Sequence, residues 1–220
     1  MARDDWFRQT TWGADEEQLF EAKLRRARSA NRPQYLRIQG LTLSSSDDPA
    51  VRSAGRELLA RVIRDHVEPW PHEARNAMQN LAASFAAEGS LADAERWYRE
   101  CARLQDTATD GLRLNCHLGL AEVLLRRAPD DPSIAEEAAA ALDRAAEVSP
   151  PVFPADRWRF AVVLARIAVA RADREAAREW ATRALEIAAL TESPFPYHRE
   201  LGLAEPRRDE LHEMQELAAD

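Results

Sequence analysis

The chain has 220 residues, 45% of them hydrophobic, which is enough to bury a core as one domain or one continuous array. Its net charge of -8 and pI near 5.3 argue against a general nucleic-acid binder. Two cysteines cannot build a disulfide framework, Met1 to Thr10 lacks the apolar stretch of a signal peptide, and no window is long enough to span a bilayer. A cytoplasmic protein is expected, with no nucleic acid and no membrane among its partners. Seven glycines against many Ala, Leu, Glu and Arg favour an all-α chain.

Residues 1–30 are expected to cap the first end of a helical stack. Trp6, Phe7 and Trp12 sit in a stretch with little helical period and read as a lid. Asp15 is placed as the cap of a helix whose Leu19, Phe20, Leu24 and Ala27 share a face. A degenerate helix pair is expected over 31–69. Asn31 and Gln34 suggest a capping box, with Pro33 in the first turn of a helix reaching about Ser44. Asp48 and Pro49 open its partner, with Val51, Ala54, Leu58, Val62 and Ile63 as apolar positions, and Pro69, Trp70 and Pro71 mark the boundary that follows.

The stretch 72–106 has the clearest pattern. Ala77, Met78, Leu81, Ala82 and Phe85 recur at three- and four-residue spacing, Gly89 ends that helix, and Leu91, Ala94, Tyr98, Cys101 and Leu104 repeat the stripe beyond a tight turn. So short a link forces the two helices antiparallel. A third pair is expected over 110–150, with Leu118 and Gly119 central in its first helix, a long turn near 128–133, Asp131 and Pro132 as the next helix start, and Ala138, Leu142 and Ala145 turned inward. A fourth spans 155–190, with Ala161, Leu164, Ala165 and Ala168 facing Ala177, Ala181 and Ala184. Over 191–220, Pro194, Pro196 and Pro206 break periodicity before a terminal helix from Arg207 with Leu211, Met214 and Leu217 or Ala218 inward.

Met78, Leu81, Ala82, Phe85, Ala94 and Tyr98 together resemble the tetratricopeptide repeat, with Met for Trp, Ala for Gly and Asp106 for Pro as departures. The two tryptophans with LRRARSANRPQYLRIQ look like the opening of stand-alone bacterial proteins of that class. The resemblance implies a right-handed α-solenoid of antiparallel helix pairs over 1–220, whose first helices line the hollow side, with caps at both ends.

Catalytic chemistry finds no foothold in the sequence. His66, His72, His117, His198 and His212 are scattered, no HExxH or Gly-rich phosphate loop occurs, and Glu136 and Glu137 read as a solvated face. No metal, no cofactor and no enzyme activity are expected. Cys101 is expected to pack against the next helix and Cys116 to face the groove. Trp97, Trp158 and Trp180 are read first as packing.

On the repeat frame, the inner side presents Gln34, Arg37 and Leu41, then Asn76, Gln79, Asn80 and Ala83, then Arg113, Cys116, His117 and Leu120, then Arg159, Val162 and Arg166. Tetratricopeptide proteins that hold a C-terminal carboxylate use basic residues and asparagines at such places. The resemblance therefore nominates Arg37, Asn76, Asn80, Arg113, His117, Arg159 and Arg166 as partner-binding, with Leu41 and His117 departing from the clamp. Arginine is otherwise everywhere in this chain, since Lys23 is the single lysine among 30 basic residues. The expected function is an interaction module that binds a protein or peptide in its groove, with an acidic segment or C-terminal carboxylate as the group held. An immunity or inhibitor protein masking a toxin is the alternative. A peptide-sensing regulator is the third reading.

Overall fold

The computed structural model describes residues 5–193, 195, 197–198 and 201–219, and every regular element among them is helical. Pro194 and Pro196 lie outside the described residues, as do residues 1–4 at the start of the expected cap. The chain divides after Leu114 into two units.

The first unit holds α1 (Ala14–Arg26), α2 (Arg32–Ser44), α3 (Pro49–His66), α4 (Pro71–Glu88) and α5 (Leu91–Asp106). Neighbours α2 and α3 pack as one pair and α4 and α5 as another, while α4 also lies against both α2 and α3. Only Gly89 and Ser90 separate α4 from α5. Gly89 adopts φ 87°, and the Ser90 N–H donates to Phe85 O at 3.0 Å, so the chain reverses in a left-handed helix cap that suits glycine. Two packed helices joined by so short a link run antiparallel. At the head of α3, Asp48 accepts hydrogen bonds from the Ala50 and Val51 N–H groups, as the Asp–Pro signal predicts.

Other starts differ from the sequence reading. The cap of α1 is Gly13, whose N–H donates to Glu16 Oε2 at 3.0 Å, and Asp15 lies inside the first turn. Asn31 makes no side-chain cap. It already belongs to a 3-10 turn at Ser29–Asn31, and its φ of -95° and ψ of -15° are not the extended backbone from which an N-cap side chain reaches the first turn. Leu19 is 48% exposed, because Phe20 and Leu24, four residues apart, take the inward stripe.

Phe20, Leu36, Leu43, Leu59 and Val62 are the centre of this unit's core, and Trp6, Phe7, Trp12 and Tyr35 pack against it. The segment before α1 is further fastened by reciprocal bonds: Gln9 N–H donates to Gln39 Oε1 at 2.9 Å, and Gln39 Nε2 donates to Gln9 O at 2.8 Å. Gln39 is 0% exposed, so both bonds satisfy groups that water cannot reach. The α2–α3 contact rests on two glycines. A Cβ on Gly55 would meet Ser44 N at 2.2 Å, and one on Gly40 would meet Leu59 Cγ at 2.9 Å.

The second unit holds α6 (Cys116–Arg127), α7 (Pro132–Val148), α8 (Pro154–Ala170), α9 (Arg174–Ala188) and α10 (Arg208–Ala219). Here α6 packs on α7, α8 on α9, and α9 on α10, while α8 also meets α6 and α7. Asp131 caps α7 through Ser133 N–H at 2.9 Å. The α8–α9 turn places Ala172 at φ 56°, a left-handed conformation with no glycine to relieve it. Trp158, Ala161, Ala165, Ala181, Ala184 and Met214 form the core, and Met214 is 0% exposed. Small side chains on facing helices let their backbones approach closely. No helix of the described residues is long and apolar enough to cross a membrane.

Candidate functional site

Three of the four nominated arginines, Arg37, Arg159 and Arg166, are committed to carboxylates of the same chain. In the first unit, Arg37 on α2 reaches across to Glu73 on α4, Nε to Oε2 at 2.5 Å, with both side chains largely buried at 19% and 11% exposure. In the second, Arg159 on α8 grips Glu122 on α6 through two bonds of 2.7 Å. Arg166 on α8 grips Glu213 on α10 at 3.0 and 2.7 Å. Burial opposes the charge on Arg166, but the bond to Glu213 and the charges of Glu213, Glu210 and Glu122 outweigh it and hold the guanidinium above its ordinary pKa. A planar guanidinium matched to two carboxylate oxygens is the strong geometry for such pairs. Each pair spans two helices that are not neighbours in sequence; the first two fasten one helix pair to the next, and the third fastens the terminal helix α10 to α8.

Arg113 and His117 take places that the expected helix start hides. Helix α6 begins at Cys116, so Arg113 stands exposed in the preceding loop, its Nη1 near Leu112 O at 3.4 Å. That loop is held out of helical geometry by a buried arginine. Arg75, 1% exposed, donates through Nη1 to Gln105 Oε1 at 3.0 Å and through Nη2 to the Asp110 carboxylate. Gln105 Nε2 in turn donates to Leu112 O at 2.9 Å, Asp110 Oδ1 accepts from Leu112 N–H at 3.1 Å, and Gly111 supplies φ 77°. The hydrogen bond from Arg75 is the main cause that lowers the Asp110 pKa, with burial opposing it. His117 and Cys116 are buried at 5% and 0% exposure. Cys101 is also buried, and its thiol donates to Arg75 O at 3.4 Å, so it meets the first helix of its own pair.

The asparagines behave differently from the arginines. Asn76 Nδ2 donates to His72 O at 3.0 Å, one turn back. One turn further along α4, Gln79 Oε1 and Asn80 Nδ2 are shielded from water and find no hydrogen-bond partner among the described residues. An acceptor and a donor on successive residues of α4 are thus left unsatisfied, at a cost of about 1–3 kcal/mol each when buried. Ala83, a further turn along, is exposed. Of the other inner positions, Leu41 is 40% exposed and Val162 is buried.

The sequence reading missed the network around Arg75 and the acidic partners Glu73, Glu122 and Glu213. A signal existed in the spacing: Arg37 and Glu73 stand 36 residues apart and Glu122 and Arg159 stand 37 apart, about one helix pair in each case. On α3, Arg56 bonds Ser84 Oγ at 3.0 Å and Ser84 O at 2.9 Å and lies over the Phe85 ring at 4.1 Å, a packing role. Its bond to Glu88 is the main cause that lowers that carboxyl's pKa. Trp158 is core, and Trp97 and Trp180 pack partly buried against it or its counterpart. Among the described residues, no three His, Cys, Asp or Glu side chains gather as a metal site.

Comparison of the chain with protein-family models, with curated proteins and with solved structures gives no match.

Proposed function

We propose that this chain is a non-enzymatic interaction protein of the tetratricopeptide type, whose helix pairs follow a right-handed solenoid path within each unit and whose first helices hold a segment of another protein. The observation that carries the reading is the pair of unpartnered amide atoms, Gln79 Oε1 and Asn80 Nδ2, on the face of α4 that continues to exposed Ala83. A neighbouring acceptor and donor complement the N–H and C=O that every peptide backbone presents. The terminal amide torsions are soft, so rotation brings both groups to the surface when a segment arrives.

Packing within each unit supports the same reading. The first helix of a pair meets the first helix of the next, and the second helix meets it as well, which is the arrangement a stacked repeat requires. The engaged segment is read by its main chain more than by charge, since Arg37, Arg159 and Arg166 already face glutamates.

The test is a photo-crosslinking residue placed at Ala83 in the full chain, used in source-cell extract to capture and identify the bound protein. Its affinity is then measured for wild type, Asn80→Ala and Arg103→Ala. Losing one neutral hydrogen bond is worth about 0.5–1.5 kcal/mol, roughly two- to tenfold. Arg103 is exposed on α5 and pairs with Glu100, so its removal should leave affinity unchanged. Equal losses at both positions, or crosslinks that do not depend on Asn80, would refute the reading.

A further inference from the structure

We propose that the junction between α1 and α2 is a second contact surface, separate from the first-helix face, that takes a short run of aspartates or glutamates in a partner protein through Arg25, Arg26 and Arg28. All three are exposed, and none meets a carboxylate or a carbonyl among the described residues. Arg37, Arg56, Arg61, Arg75, Arg159 and Arg166 by contrast pair with carboxylates, and the exposed Arg174, Arg178 and Arg208 are spread over α9 and α10, whereas Arg25, Arg26 and Arg28 cluster within four residues.

The ordinary role of cations in a last helical turn is to offset its exposed carbonyls. Here Arg32 already does that, donating from Nε to Ala27 O at 3.1 Å and from Nη2 to Arg25 O at 2.9 Å. The three remaining guanidiniums are surplus to the helix. From Arg25 to Arg28 the chain covers at most about 11 Å, near one Debye length at physiological salt, so their fields add whichever way each side chain points. The nearby carboxylate of Glu21 is occupied by Arg61 and does not quench them.

The extent of the patch decides the kind of partner. An acidic first turn at Asp15, Glu16 and Glu17 lies at the other end of the same helix, about 12 Å from Arg25 along its axis. A long polyanion would run onto that turn, whereas an acidic run of three or four residues fits the patch alone. Leu24 is buried and Ala27 half-buried, so the junction offers a bilayer no apolar anchor.

The experiment measures fluorescence anisotropy of a labelled hexaglutamate peptide with the full chain at about 50 mM salt, where such contacts are only partly screened. The other probes are a Ser-Gly hexapeptide, a twelve-nucleotide oligothymidine and vesicles containing phosphatidylserine. Variants are Arg25→Ala/Arg26→Ala/Arg28→Ala, the same three positions as lysine, and the charge-matched control Arg174→Ala/Arg178→Ala/Arg208→Ala, whose residues are also exposed and unpaired. The expected result is hexaglutamate binding that weakens about tenfold or more in the alanine triple, survives in the lysine triple and the control, and falls with added salt. The proposal is overturned by absence of hexaglutamate binding, by equal losses in the control, or by tighter binding of oligothymidine or vesicles than of hexaglutamate. A loss in the lysine triple as large as in the alanine triple overturns it too.

Discussion

Replacing Gly55 by alanine should destabilise the first unit although alanine is the better helix former. The new Cβ would stand 2.2 Å from Ser44 N, 2.7 Å from Gly40 O and 2.7 Å from Leu43 C, all of them backbone atoms of α2. Carbon contacts are comfortable from about 3.5 Å, so α2 and α3 must part by roughly 1 Å. Neither helix can yield by turning a side chain. Overpacking of this kind costs typically about 1–3 kcal/mol and occasionally more, against about 1 kcal/mol gained from helix propensity. A backbone target belongs at the upper end, which leaves a net loss of about 2 kcal/mol and a melting point lower by roughly 5–15 °C. Gly40→Ala is the internal comparison. Its Cβ would meet Leu59 Cγ at 2.9 Å, Gly55 O at 3.0 Å and Leu59 Cδ2 at 3.1 Å, and a small shift of the Leu59 side chain relieves two of these. Its loss should be smaller than that of Gly55→Ala. Thermal and urea melts followed by far-ultraviolet circular dichroism measure both. A Gly55→Ala protein as stable as wild type, or a larger loss from Gly40→Ala, would show that the α2–α3 crossing is not as close as described.

Ala172→Gly should raise stability by up to about 1 kcal/mol in the same melts, since glycine removes the cost of a left-handed alanine at φ 56°; a loss would mean that the turn is not strained. Asp110→Asn should strip a buried arginine of its charged partner and cost about 1–3 kcal/mol. The pH dependence follows from the direction of the shift. A carboxyl whose folded pKa is lowered contributes stability above its unfolded value, near pH 4, and loses it as pH falls further, so wild type and variant should converge in acid-titrated urea melts; a constant gap down to pH 2 would contradict the Arg75 pairing. Cys101 and Cys116 are both 0% exposed, so a thiol reagent should label neither rapidly in the native protein and both in denaturant; one fast thiol in the native protein would place that cysteine at the surface.

The helices were readable where the chain carries strong punctuation. Asp48–Pro49, Asp131–Pro132 and Gly89 each act through groups within three or four residues, and all three mark helix ends in the structure. The start of α6 was not readable, because residues 110–115 are kept from helix by Arg75, 35 positions before Asp110. Gly40 and Gly55 escaped for the opposite reason. A glycine inside a helical stripe looks like a weak helix former, and only its pairing with a second helix reveals the crossing. Of the candidate site, the residue types were legible but their state was not. Arg37 and Arg166 read as free cations until Glu73 and Glu213 are placed beside them.

Those pairs also bear on how the sequence can change over generations. Arg37–Glu73 puts the cation on the earlier helix, whereas Glu122–Arg159 puts it on the later one, so the fold accepts either polarity at a junction between first helices. Losing one member alone leaves a half-buried charge without its counter-ion, which is costlier than replacing both. Substitution at position 37 should therefore be tolerated best with a matching change at 73, and likewise for 122 with 159. Descendants of this chain should carry these positions as linked couples, drifting together through charge swaps or joint loss to apolar residues, while Arg25, Arg26 and Arg28 make no such bond among the described residues.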